Sequence, residues 1–260
     1  VSLIENSRSL KDDKGALTMR AYACHQLGRL DEAAQLYRRA LQLDANDGEV
    51  RLNLGILEAA RGRNAEAAAE LELAATLLKS PAAAYRYLGL VQIAMNRDDL
   101  AVSSFSRAAG MDARDMVSHY QMAKAYFRLG RFTEAVREFE IVRAAGAVSR
   151  DIPSMLGHAL LMTGDYAAAC RVLETAVADE PGNSDVIADL AEAYRRSGQQ
   201  ENARRFYERL LVMRPQEPMI YRVLADLYAE SGQTVKALEY ERRGQEIALR
   251  VGLEQALAAD

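Results

Sequence analysis

The sequence of 260 residues contains no tryptophan, five phenylalanines, five prolines, three histidines and two cysteines. Half of it is hydrophobic and much of that is alanine, a composition that fits many small helix-helix contacts better than one large aromatic core. No apolar run approaches the roughly 18 residues that a bilayer-spanning helix needs. No charged-then-apolar signal segment opens the chain. The formal charge is -4 and the pI about 5.6, so bulk electrostatics exert no pull on nucleic acid or anionic lipid, although a local basic patch stays open. The sequence also lacks the spacings that carry chemistry. There is no HExxH or CxxC for a metal, no GxSxG nucleophile turn and no clustered glycine loop for phosphate. His25, His119 and His158 are far apart in sequence and form no ligand pair, and the carboxylates read as solvated helix faces. The expectation is no enzyme activity, no metal and no cofactor.

What is present is a period. Gly28, Gly62, Gly130, Gly164, Gly198 and Gly232 stand 34 residues apart or at twice that interval, with Asn96 filling the gap. Asn is, after Gly, the residue that best tolerates the left-handed conformation in which helices commonly end. Five residues after each of these positions lies an alanine: Ala33, Ala67, Ala101, Ala135, Ala169, Ala203 and Ala237. A fixed period of this size marks a repeat architecture. Thirty-four residues suit two helices of about 12 to 14 residues with two short turns. A methyl-sized side chain lets antiparallel helix axes approach to about 8 Å, which gives the recurring alanine its reason. A second small position recurs as Ala21, Gly55, Gly89, Ala123, Gly157, Ala191 and Ala225. All five prolines fall where this register puts a helix boundary or first turn, where proline is tolerated.

These residues resemble the tetratricopeptide repeat family, with Leu and a small residue at unit positions 7 and 8, Gly at 15, Ala at 20, an aromatic at 24 and Ala at 27. Leu54, Leu88, Met122, Leu156, Leu190 and Leu224 fill position 7, and Tyr37, Phe105, Phe139 and Tyr207 fill position 24. The resemblance implies an all-α, right-handed superhelical solenoid of helix-turn-helix repeats. Seven units are expected, over 14–47, 48–81, 82–115, 116–149, 150–183, 184–217 and 218–251. Residues 1–13 are expected to form a partial helix preceding or capping the array, and 252–260 a capping helix extension. Gly244 and Gly252 would weaken that last helix by about 1 kcal/mol each, while Leu249, Leu253 and Leu257 form a stripe suited to a cap. The chain starts at Val1 in mid-repeat, so a processed or excised chain is expected, and the missing signal segment leaves the compartment unknown. Departures lie at the two ends: Arg20 stands at position 7 of the first unit, and Glu241 and Gly244 stand at positions 24 and 27 of the last. Cys24 and Cys170, four repeats apart, are read as small buried residues that form no bridge.

In the family, the first helix of each unit lines the concave face, and the resemblance implies ligand contact at positions 2, 5, 9, 12 and 13. Carried over residue by residue, the candidate peptide-binding set is Tyr22, Leu52, Ile56, Arg86, Leu90, Ile93, Tyr120, Lys124, Phe127, Arg128, His158, Leu161 and Met162, with His25 beside them. Units six and seven instead offer charged residues, among them Glu192, Arg195 and Asp226. The carboxylate clamp of chaperone-binding domains is not recovered: the positions offer Thr18, Tyr22, Asn53, Ala83 and Tyr87, of which Asn53 alone matches. A heat-shock chaperone tail is therefore an unexpected partner. The function implied is a non-catalytic scaffold that binds a peptide or helical segment, with self-association open. The alternatives are the regulatory array of a larger glycosyltransferase or polysaccharide-export protein, and an RNA-binding array, which the acidic charge and the strict 34-residue period argue against.

Overall fold

The structure, a computed structural model, describes residues 13–146 and 149–259, with side chains as far as Val251. The partial helix expected before residue 13 lies outside the described residues. Among the described residues the chain is all-α, with fourteen helices. They are α1 (Lys14–Gln26), α2 (Leu30–Leu43), α3 (Gly48–Ala60), α4 (Asn64–Leu77), α5 (Ala82–Ala94), α6 (Asp98–Met111), α7 (Met116–Arg128), α8 (Phe132–Ala144), α9 (Asp151–Thr163), α10 (Tyr166–Asp179), α11 (Ser184–Arg196), α12 (Gln200–Met213), α13 (Pro218–Glu230) and α14 (Thr234–Ala259). They fall into two compact units, residues 1–147 and 148–260.

The turn within each pair has one construction. Gly28 has φ 73°, and the N–H groups of Arg29 and Gly28 donate to the carbonyls of Cys24 and His25 at 2.8 and 3.0 Å. These are the two bonds of a Schellman turn, which satisfies carbonyls that a helix end leaves open. Asn96, the one residue other than glycine with positive φ among the described residues, holds 56° at the same place in the third pair. At three of the turns between pairs a side chain caps the helix that follows, whereas α5, α9 and α13 start without a side-chain cap. Asp47 accepts from the N–H groups of Glu49 and Val50, Asp115 from Ser118, and Asn183 from Asp185 and Val186, each capping a first helix.

Within each unit, the second helix of a pair packs both on its own first helix and on the first helix of the next pair. Ala33, Ala67, Ala101, Ala135, Ala169 and Ala203 are fully buried at the crossings. Position 8 is as tight. A Cβ on Gly157 would lie 2.4 Å from Leu173 Cγ, and one on Gly89 2.6 Å from Phe105 Cε1. Gly157→Ala thus has two opposed effects. Helix propensity alone favours it by about 1 kcal/mol, whereas the overlap with Leu173 costs about 1 to 3 kcal/mol. Packing wins, and urea denaturation is expected to show a net loss of stability.

The expectation that the carboxylates are solvated fails at Glu58, which is 1% exposed. Its carboxylate accepts from Arg38 of the preceding repeat at 2.6 Å and from Arg61 at 2.9 Å, and Arg61 also pairs with Asp31. Position 11 and the preceding position 25 form this contact again with other chemistry: Tyr194 donates to Glu174, and Tyr228 to Glu208. Charge is buried at Glu58 because two guanidinium groups arrive there to satisfy it.

The weakening expected at Gly244 and Gly252 does not interrupt the helix, since α14 runs from Thr234 to Ala259. Packing supplies the compensation for Gly244, where a Cβ would stand 2.9 Å from Tyr221 Cβ. The aromatic residue of this pair has moved by one place, to Tyr240, which stacks on Tyr228 at 5.3 Å and lies 6.3 Å from Tyr221. Leu249, expected in a capping stripe, is 70% exposed. Leu253 and Leu257 fall outside the described side chains.

Candidate functional site

In the first unit the candidate residues are carried by α1, α3, α5 and α7, at intervals set by the repeat. They do not share one environment. Leu52 is a correction: at 8% exposure it belongs to the cluster of Ala67, Leu71, Ala84, Leu88 and Val91, because the next repeat's first helix covers it. Ile56 is half-buried against the same cluster. Leu90 and Ile93 are half-buried against the cluster around Phe105 and Met122, so each shows one side to solvent and rests the other on the core. Tyr22 is 55% exposed.

The aromatic residues of α7 are held by neighbours. Lys124 Nζ donates to the Tyr120 hydroxyl at 3.2 Å and lies 5.0 Å from its ring centroid. Phe127 meets Phe132 edge-on, with centroids 5.5 Å apart. Such contacts fix rotamers and lower the entropy a ligand contact must overcome.

Two of the cations read as ligand contacts are engaged within the protein. Arg128 donates to both carboxylate oxygens of Asp98, at 2.6 and 3.0 Å, and this raises its pKa. Arg86 pairs with Asp115, the N-cap of α7, at 3.5 Å. The acids involved were missed by reading each repeat alone, yet a signal exists. Arg61–Asp31, Arg128–Asp98 and Arg196–Tyr166 are all separated by 30 residues, the offset that joins the end of one repeat's first helix to the start of the previous repeat's second.

The second unit carries His158, Leu161 and Met162 on α9. Met162 is 56% exposed and Leu161 is half-buried. His158 Nδ1 lies 2.8 Å from Asp189 Oδ2 on α11, and that bond raises the imidazole pKa against the opposing effect of burial. A raised folded-state pKa stabilises below the ordinary histidine value of about 6.5 and is lost as pH rises through the folded value. An NMR titration should therefore show His158 titrating above an ordinary histidine, and Asp189→Asn should bring it back down. The thermal midpoint of the parent should fall across that window above pH 6.5 by more than the variant's. Further along, burial disfavours ionisation of Glu192, but bonds from Arg195 and Tyr207, at 2.7 and 2.8 Å, outweigh it and keep its pKa low.

Both cysteines are buried and unpaired, and burial raises the pKa of the Cys170 thiol. His119, on α7, lies 2.6 Å from Glu138 in a structural contact. Among the described residues no three His, Cys, Asp or Glu side chains gather as a metal site, and no helix is long and apolar enough to cross a membrane.

The helix pairs, their Schellman turns and the small residues at the crossings define a tetratricopeptide architecture. Family models described as tetratricopeptide repeat match residues 160–227, 120–184 and 48–72, and one described as TPR repeat matches 21–58. The chain belongs to the tetratricopeptide repeat family. No curated protein matches it in sequence. Among solved structures it is similar to YrrB, described as a TPR protein with an unusual peptide-binding site, at 19% identity and TM-score 0.63 over 72% of this chain and 97% of that one. It is also similar to the C-terminal part of a TPR repeat-containing protein from Cytophaga hutchinsonii, at 16% identity and TM-score 0.62 over 88% and 95% of the two chains. A third similar structure is MamA, at 19% identity and TM-score 0.56 over 64% and 96%. At these identities the likeness is one of fold.

Proposed function

We propose that the chain is a non-catalytic protein-interaction scaffold that holds an extended or helical segment of a partner protein against the first helices of repeats two to four. One observation carries this reading: Ile56, Leu90 and Ile93 are half-exposed apolar side chains backed by core clusters, and Tyr120 with Lys124 and Phe127 adds a pre-ordered aromatic edge on α7. Apolar anchors on rigid helices with a cation beside them suit peptide recognition, the anchors giving affinity and the charge giving register. The peptide-binding site ascribed to YrrB, a protein of similar fold, is in keeping with it. His158, Leu161 and Met162 lie on α9 of the second unit, and Leu52 contributes through the core alone.

The test is affinity purification with mass spectrometry, followed by calorimetry on the peptide recovered. Tyr120→Ala and Phe127→Ala are each expected to weaken binding by about 1 to 2 kcal/mol, roughly 5- to 30-fold, with helical content checked by circular dichroism. Binding that survives both substitutions but is lost on changing the outward faces of α4 and α6 would move the site to the opposite surface. Binding to single-stranded RNA with a steep salt dependence would overturn the protein-partner reading.

A further inference from the structure

The contact between position 11 and the preceding position 25 takes a different form where repeat two meets repeat three. In repeats six and seven a phenol fills it, with Tyr194 donating to Glu174 and Tyr228 to Glu208. A second ring at position 23 packs against each phenol, Phe206 against Tyr194 at 5.5 Å and Tyr240 against Tyr228 at 5.3 Å. Repeat three keeps the acceptor and lacks both rings. Glu72 stands at the preceding position 25, while positions 11 and 23 are Gln92 and Ser104.

Ser104 donates to Gln92 Oε1 at 2.7 Å, which holds the amide to its own repeat. Among the described residues Glu72 makes no hydrogen bond or ion pair. What the missing rings leave is a cavity of about 300 Å³ between α4, α5 and α6, lined among others by Glu72, Tyr85, Leu88, Gln92, Ser104 and Arg107. Roughly 150 Å³ is enough to take up a benzene ring. Gln92 and Ser104, 7% and 5% exposed, form the floor, whereas Tyr85 is half-buried and Glu72 and Arg107 are exposed at the rim. The Arg107 guanidinium lies 5.3 Å from the centroid of the Tyr85 ring and donates to its hydroxyl at 3.3 Å, so this wall is ordered. The cavity stands inside the array with a repeat on either side, and none of its lining residues holds concave position 2, 5, 9, 12 or 13.

We propose that this cavity receives the side chain of a tyrosine from a partner protein, as a second docking point separate from the concave helices. The ring stands beside Tyr85 and over Leu88, and its hydroxyl donates to Glu72. The partner thus supplies what Tyr194 and Tyr228 supply in their own joints. A ring gains from a flanking ring and guanidinium beyond the area it buries. One carboxylate and one guanidinium leave the cavity close to neutral, which suits an uncharged phenol, and an acceptor aimed at a hydroxyl discriminates against a ring that has none. Residues 1–12, 147–148 and 252–260 include no aromatic residue, so they do not supply the ring.

The probes are N-acetyl-tyrosinamide, its phenylalanine counterpart and its O-phosphorylated form, titrated into the isotope-labelled full chain and followed by NMR. The tyrosine probe is expected to bind with a Kd on the order of 1 mM and to shift the amides of the lining residues. The phenylalanine probe should bind about fivefold more weakly, since it leaves Glu72 without a donor. The phosphorylated probe should bind about tenfold more weakly or worse, because its charge faces that carboxylate. Glu72→Ala should abolish the preference for tyrosine over phenylalanine. Gln92→Tyr rebuilds the joint of repeats six and seven from the chain's own residues and should block the probe, with circular dichroism checking that both variants fold. Shifts that centre on Tyr120 and Phe127 instead, equal binding of the tyrosine and phenylalanine probes, or a preference that survives Glu72→Ala would each overturn the proposal. So would tighter binding of the phosphorylated probe, which would make Arg107 the residue that reads the ligand.

Discussion

Phe105→Ala is expected to lower stability by about 3 to 5 kcal/mol, the usual cost of removing a fully buried aromatic ring. The ring is 0% exposed and sits where three elements meet. It lies over Gly89 of its own repeat, within reach of any Cβ placed there, and packs with Met122 and Ala125 of the next. Collapse cannot fill the space, because Ala101 and Gly89 beside it are already at minimum size. Phe105→Leu should cost markedly less, since Leu71 and Leu173 occupy the equivalent place over Gly55 and Gly157. In a linear array each repeat is stabilised by its neighbours, so the damage should be local. Hydrogen exchange read by mass spectrometry should lose protection first over residues 82–128 and least at α1. Leu90 and Ile93 rest on the same cluster, so binding on the proposed groove should weaken along with stability. An unchanged denaturation midpoint would mean that the third and fourth repeats are not joined through this ring.

Glu58→Ala is expected to cost about 3 kcal/mol, because removing one partner of a buried ion pair leaves the other charge uncompensated. Arg61, with 10% of its side chain exposed, would keep the exposed Asp31 as its counter-ion, and this places the loss at the low end of such changes. The same joint offers a rescue. In the second unit position 11 is Tyr194 or Tyr228 and donates to a glutamate at the preceding position 25. Glu58→Tyr combined with Arg38→Glu rebuilds that arrangement, and most of the loss should be recovered although two charges have been changed. Urea unfolding of the two single variants and the double variant forms a double-mutant cycle. Additive losses would show that Glu58 and Arg38 do not act as a pair.

Much of this fold was legible in the sequence because its determinants are local and recur. A left-handed residue ends each first helix whatever its surroundings, so Gly28 and Asn96 could be read as one feature. A methyl-sized residue is required wherever two helices cross, and Ala33 to Ala203 show it. The candidate site was less legible. A concave position can be counted from the register, but whether the next repeat covers it depends on the residue opposite, and this made Leu52 core while Ile56 kept an open side. Pairings across repeats were hidden for the same reason. Arg128 and His158 looked available to a ligand until Asp98 and Asp189 were brought within 3 Å of them from 30 and 31 residues away.

By itself the sequence determined the repeat length, the residue that ends each first helix and the family, since all of these follow from backbone conformation and residue size at a fixed period. The tertiary structure alone decided that Glu58 is buried between arginines, that α14 passes through Gly244 without a break, and that Glu241 lines a cavity between α13 and α14. Each of these turns on which atoms from distant residues meet, a matter of packing and desolvation that no single repeat contains.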